Sequence, residues 1–193
     1  MNRKEIEKAA EKLIQDLGIN EAPIPVQQIA EGIGCLVKAF RDDTDGVSGV
    51  FMMNNNTPMI GYNSNQSEVR QRFTIAHELG HYILHNNNDP KEVFVDHKTL
   101  ALFRDENSST GSSKIEQQAN AFAAALLMPE RFVTEEVKNI NVDLTDESPE
   151  LSRLAKKFNV STIAMSIRLM NLHISNGHDS DKRKITSFRR NAL

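Results

Sequence analysis

Residues 73–85 read FTIAHELGHYILH, and the histidine spacing inside that stretch decides how the rest of the chain is understood. His77, His81 and His85 recur every four residues on what otherwise reads as a buried helix, and Glu78 directly follows the first. Positions i and i+4 of an α-helix share a face about one turn apart, so His77 and His81 can aim ring nitrogens at a single point. Such a point suits a tetrahedral metal ion. His77-Glu78-Leu79-Gly80-His81 is the H-E-x-x-H pattern, in which the two histidines bind zinc and the glutamate serves as general base. For those five residues alone, two neutral histidines hydrogen-bonded to backbone or carboxylate groups remain the alternative.

A catalytic zinc site wants three protein ligands and one open position. His85 fails on geometry, because a rise of about 1.5 Å per residue puts it roughly 12 Å from His77. Tyr82, Ile83 and Leu84 follow His81 without the glycine that could bend the chain toward a further histidine. His85 is therefore expected at the helix end, near the negative pole of the dipole. A third ligand should come from another helix, and Glu116 is the candidate. It opens EQQANAFAAALLMP, where Ala119, Ala123, Ala124 and Ala125 would allow close packing on the histidine helix. Ser113-Lys114-Ile115-Glu116 is equally an S-x-x-E capping box, in which Glu116 folds back onto its own helix start. Spacing does not choose between the two. Asn120, one turn beyond Glu116, could orient a metal-binding histidine or simply pack.

The remaining composition narrows the setting. With 193 residues, 39% of them hydrophobic and 25% charged, the chain can bury one sizeable core and lies far from disordered compositions. A net charge of −3 supplies no bulk attraction to nucleic acid or anionic membrane. Cys35 stands alone, so neither a disulfide framework nor a Cys-x-x-Cys metal site is available, and the charged, helical opening MNRKEIEKAAEKLIQ is no signal peptide. No apolar run reaches 18 residues. A cytoplasmic protein without membrane partners is the expectation.

Along the chain, Ile6, Ala9, Ala10, Leu13, Ile14 and Leu17 mark an amphipathic helix ended by Gly18, and a short helix is expected from Val26 to Glu31. CLVKAF, GVSGVFMM and TPMIGY read as two or three antiparallel strands, the last two joined as a hairpin by Asn54-Asn55-Asn56. Asn65 and Glu68 have the spacing of a capping box opening the histidine helix. Residues 86–113 read as a long loop with one short element in VFVDHKTLALF. Helices follow over SKIEQQANAFAAALLMP and PERFVTEEVKNI, with Pro129 at the first position of the latter, and two more begin after Ser148-Pro149 and at Ser161. One domain over 1–175 is expected, with its core about 20–140 and a C-terminal helical part about 148–173. Residues 176–193 are expected to be a disordered tail.

RQRFTIAHELGHYILH followed by EQQANAFAAALLMP, with PIPVQQIAEGIG and GVSGVFMMNNNTPMIGYN upstream, resembles the ImmA/IrrE family of zinc metallopeptidases over about Ile6 to Leu172. The resemblance implies an α+β, mostly helical zincin-like domain with a small antiparallel sheet of about three strands and a C-terminal helix-turn-helix-like segment. It implies His77, His81 and Glu116 as metal ligands and Glu78 as catalytic base. The expected ion is Zn2+, with Mn2+ or another divalent ion also compatible with two histidines and a carboxylate. It implies further an anti-repressor protease whose substrate is a helix-turn-helix repressor, cut to release a mobile element or a stress response. The segment over 86–113 is longer than that family's usual spacing.

In this reading Glu78 takes a proton from the attacking water and returns it to the departing amine. The substrate would enter extended and pair with GVFMM or TPMIGY by β-augmentation. Tyr62, Tyr82 and His173 are candidates to stabilise the oxyanion, each also readable as structural. Two rivals stand beside the peptidase reading. One is a regulator that holds a metal and binds the repressor without cutting it. The other is a DNA-binding helix-turn-helix over PELSRLAKKFNVSTIAMSIRLMNL. Its second helix offers only Arg168 as a charged reader, so direct nucleic-acid binding is not expected.

Overall fold

The computed structural model describes residues 1–44, 46–85, 93–97, 111–138, 140, 142–144 and 148–173. Helix α1 spans Arg3–Asp16, with Asn2 and Glu5 forming a capping box at its start. Gly18 follows its C-cap in the left-handed region at φ +66°, where only glycine bears no Cβ penalty. α2 is Val26–Gly32, and the chain then enters β1, Leu36–Phe40. β2 (Val47–Asn54) and β3 (Thr57–Asn63) form the expected hairpin, its two-residue turn made by Asn55 and Asn56, both at positive φ.

The sheet departs from the expected all-antiparallel arrangement of two or three strands. It has four, in the order β1-β3-β2-β4, with β4 at Val93–His97. β1 pairs with β3 in parallel, Leu36 opposite Met59, because the hairpin intervenes in sequence and brings β3 back beside β1. β4 supplies the short element expected in VFVDHKTLALF and pairs antiparallel with β2. A register shift between Val47 and Gly49 marks a bulge there, and Ser48 and Gly49 are consecutively buried as a result.

The histidine helix, α3, runs Glu68–His85 across this sheet and packs closely on α4, Gly111–Leu127. Its start differs from expectation. Ser67 gives the first capping carbonyl, to the amides of Arg70 and Gln71, whereas the Asn65 side chain donates to Asp43 and Glu68 accepts from Asn159. No Asn65–Glu68 capping box forms, because both side chains have partners elsewhere. Phe51 and Ile60 from the sheet, Ile75 and Leu79 from α3, and Phe122 and Leu126 from α4 belong to one buried cluster.

The chain continues through α5 (Glu130–Val137), α6 (Pro149–Phe158) and α7 (Thr162–Asn171). Pro129 caps α5 from just outside rather than occupying its first position. Ser148 and Ser161 cap α6 and α7, and Asn159 turns between them at φ 51°. The pair has the helix-turn-helix outline, but Arg168 is 1% exposed and its guanidinium pairs with Glu7 and the Met128 carbonyl. The side chain that the DNA reading needed is thus committed to the core. The architecture is the mostly helical α+β fold expected. The proposed tail over 176–193 and most of the 86–113 segment lie outside the described residues.

Candidate metal centre

α3 is long enough to present four successive turns to the sheet and α4, and the middle of it is entirely buried from Thr74 to His81. Gly80 sets how close α4 comes. A Cβ there would stand 3.2 Å from the Ala119 Cα and carbonyl oxygen, so the two helices meet through their smallest residues. That approach brings Glu116 over the histidines. Its carboxylate oxygens lie 3.2 Å from His77 Nε2 and 3.4 Å from His81 Nε2, and the two Nε2 atoms are 3.0 Å apart. One ligand atom from each of the three residues falls within 4.8 Å of the others. The capping-box alternative for Glu116 is excluded by this direction. The half-exposed carboxylate leaves one side of the cluster open to solvent.

Whether these residues suit a cation follows from their outward partners. His77 Nδ1 lies 2.9 Å from Asn120 Oδ1, an acceptor, so the ring proton sits on Nδ1 and the Nε2 lone pair faces inward. Asn120 therefore takes the orienting role that the sequence left open. An imidazole lone pair, a second imidazole nitrogen and a carboxylate converging on one point make a donor set of the kind that holds a divalent ion. Burial acts to raise the Glu116 carboxyl, but the nearness of the His77 and His81 rings outweighs it and holds the group well below the usual carboxylate range. Burial pushes the His81 imidazole down, partly opposed by Glu116. Glu116 is thus available as an anion and His81 as a neutral ring.

The Glu78 carboxylate lies against β2. It is fully buried, and a Cβ on Gly49 would lie 2.6 Å from its Oε1 and 2.3 Å from Thr74 Cγ2. The backbone of β2 can lie against the carboxylate only because residue 49 carries no side chain. Sequence reasoning missed this contact, although a glycine inside a strand is a known signal of a bulge or close approach. It missed Phe94 as well. That ring, from β4, stacks on His81 with centroids 4.4 Å apart and planes at 18°.

Other expected residues are placed elsewhere or differently. His85 ends α3, as expected, yet its ring also reaches His81 and Gln118. Tyr82 lies against Phe51, Tyr62 lines a cavity of about 470 Å3 with Pro25 and Arg72, and His173 follows α7. His173 is not part of the His77, His81 and Glu116 group. β2 and β3, the strands expected to receive substrate, are each paired on both edges over most of their length. The reason is the fourth strand, β4, which covers the outer edge of β2.

A mostly helical α+β fold whose H-E-x-x-H helix is closed by a carboxylate from a second helix defines the class, a domain of the metallopeptidase type. The Peptidase_M78 family model, described as the IrrE N-terminal-like domain, matches residues 30–170, and the chain belongs to that family. Metallopeptidase ImmA of Bacillus subtilis (strain 168) is similar, at 27% identity over 130 residues. The alignment takes in 67% of this chain and 66% of that relative, just under two thirds of its length. The resemblance seen in the two motifs is borne out, and the matched region contains all four residues they nominate.

Proposed function

We propose that the protein is a zinc-dependent endopeptidase in which His77, His81 and Glu116 hold the ion and Glu78 is the catalytic base. The convergence of both Nε2 atoms and the Glu116 carboxylate on one half-open point carries this reading. Membership of a family whose model is named for a peptidase, and similarity to a relative named as a metallopeptidase, support it. A divalent ion in this set supplies Lewis acidity to the scissile carbonyl and to water, and Zn2+ fits the two-nitrogen, one-oxygen donors, as Mn2+ or another divalent ion also would. Glu78 accepts the proton of the attacking water and delivers it to the leaving amine. Asn120 keeps the His77 proton on Nδ1 throughout, and the stacked Phe94 ring shields His81 from water on one face.

An extended substrate would pair with the outer edge of β4, since no described strand occupies that edge and Phe94 carries it to His81. The substrate we propose is a helix-turn-helix repressor, cut in the cytoplasm to relieve repression of a mobile element or stress response. No described helix is long and apolar enough to cross a membrane. Co-expression with the helix-turn-helix protein encoded nearby tests the reading. A discrete repressor fragment should form with the wild type and vanish with Glu78→Gln, which retains the ion because it removes no ligand. Equal cleavage by Glu78→Gln, or a full complement of metal in His77→Ala, would overturn it.

A further inference from the structure

We infer that His85 and Gln118 are positioning residues for His81, holding its ring proton on Nδ1 so that the Nε2 lone pair faces the ion. This rests on the metal-centre reading above and adds residues that the H-E-x-x-H pattern does not contain. The chain of contacts starts at Met1. Gln118 Nε2 donates to the Met1 carbonyl at 2.8 Å, and a carbonyl can only accept, so the amide is held with Oε1 turned toward His85. That oxygen lies 3.0 Å from His85 Nε2, which must then carry the proton. A neutral His85 has one ring proton, so its Nδ1 presents a lone pair. His81 Nδ1 stands 3.3 Å from it and donates. The remaining nitrogen of His81, Nε2, is left unprotonated at the point where His77 and Glu116 converge.

The two ligand histidines thus reach the same state by different means. For His77 a single Asn120 oxygen suffices, whereas His81 depends on three links running from one end of α3 to α4 and the start of α1. Phe94, stacked on His81, fixes the plane in which that chain must act. Without an acceptor at Nδ1, the His81 proton is free to move to Nε2 and block coordination. Partners that orient a metal-binding histidine are worth about 10–100-fold in metal affinity.

The test uses His85→Phe and Gln118→Met, which remove the acceptors at similar volume, and Gln118→Glu, which restores an acceptor for His85. Zn2+ affinity is measured by competition with a chromophoric chelator, and the His81 tautomer by long-range 1H–15N correlation in metal-free protein. His85→Phe and Gln118→Met should each bind Zn2+ about 10–100-fold more weakly, with Gln118→Glu within about threefold of wild type. Wild-type His81 should be protonated at Nδ1 and His85→Phe should shift it toward Nε2. Should His85→Phe fail to fold, the two Gln118 variants decide. Affinities of His85→Phe and Gln118→Met both within about threefold of wild type, or a wild-type His81 protonated at Nε2, would overturn the inference. A wild-type chain that binds no Zn2+ while His81 stays protonated at Nδ1 would instead overturn the metal-centre reading and leave the hydrogen-bond chain standing.

Discussion

Replacing Gly49 with alanine should disable the proposed base, Glu78, while sparing the proposed ligands. The added Cβ would stand 2.3 Å from Thr74 Cγ2 and 2.6 Å from Glu78 Oε1, against about 3.5–4.0 Å for comfortable contact between carbon atoms. Relief requires a shift of about 1 Å by β2, by α3 or by the Glu78 side chain. Thr74 is β-branched, buried and helical, so its rotamer gives little. Overpacking of this kind costs about 1–3 kcal/mol, which for a chain of this size lowers Tm by about 2–12 °C. A misplacement near 1 Å at a reacting group costs about 100-fold in rate, so kcat/KM for cleavage of the proposed substrate should fall by about that factor. Zn2+ affinity should stay within about tenfold of wild type, because the atoms nearest that Cβ belong to Thr74 and Glu78 and not to a proposed ligand. Gly61→Ala is the control, since its Cβ would crowd Val50 Cγ1 at 2.8 Å without meeting Glu78, and it should lose stability but keep kcat. Wild-type Tm and kcat/KM in Gly49→Ala would refute the reasoning, as would loss of bound metal in step with activity.

Further outcomes follow from the same structure. Arg168→Met strips the partner from Glu7 and the Met128 carbonyl and should cost about 3 kcal/mol, lowering Tm by about 6–12 °C in a thermal melt; an unchanged Tm would show the pair to be idle. Burial pushes the Cys35 thiol up to about 12, so it should resist iodoacetamide at mildly alkaline pH in native protein and react once urea unfolds the chain, equal rates in both states being the contrary result. Asp42 is lowered from 3.8 to about 2, first by the Thr44 hydroxyl and then by the amides of Val47 and Thr44. Its folded value lies below its unfolded one, so its stabilising contribution is present above about pH 3.8 and is lost as pH falls toward about 2. The urea midpoint of Asp42→Asn should lack that component of acid sensitivity, and superimposable pH profiles would contradict the assignment.

The histidine pair was legible because a period of four places both side chains on one helix face about a turn apart. Glu116 was not, since Ser113-Lys114-Ile115-Glu116 satisfies a capping box as well as a ligand role. The choice is made by the tertiary approach of α4, which Gly80 and Ala119 permit and which the spacing within either helix does not encode. Asn65 and Glu68 show the converse, a capping pattern whose members were claimed by Asp43 and Asn159 from distant parts of the chain. Individual strands could be read from their apolar residues, but the parallel pairing of β1 with β3 and the covering of β2 by β4 depend on which edges meet in space. Gly49 looked like any weak strand residue. Only the bulge beside it and the Glu78 carboxylate against it show why a side chain there does not fit.

The most direct test is a crystal of the wild-type chain grown with Zn2+ and measured at the zinc absorption edge. One anomalous peak is expected about 2.0–2.2 Å from His77 Nε2, His81 Nε2 and a Glu116 oxygen, with a solvent molecule completing the set. A centre without a peak, with Glu116 turned to solvent and the imidazoles bonded only to protein, would contradict it.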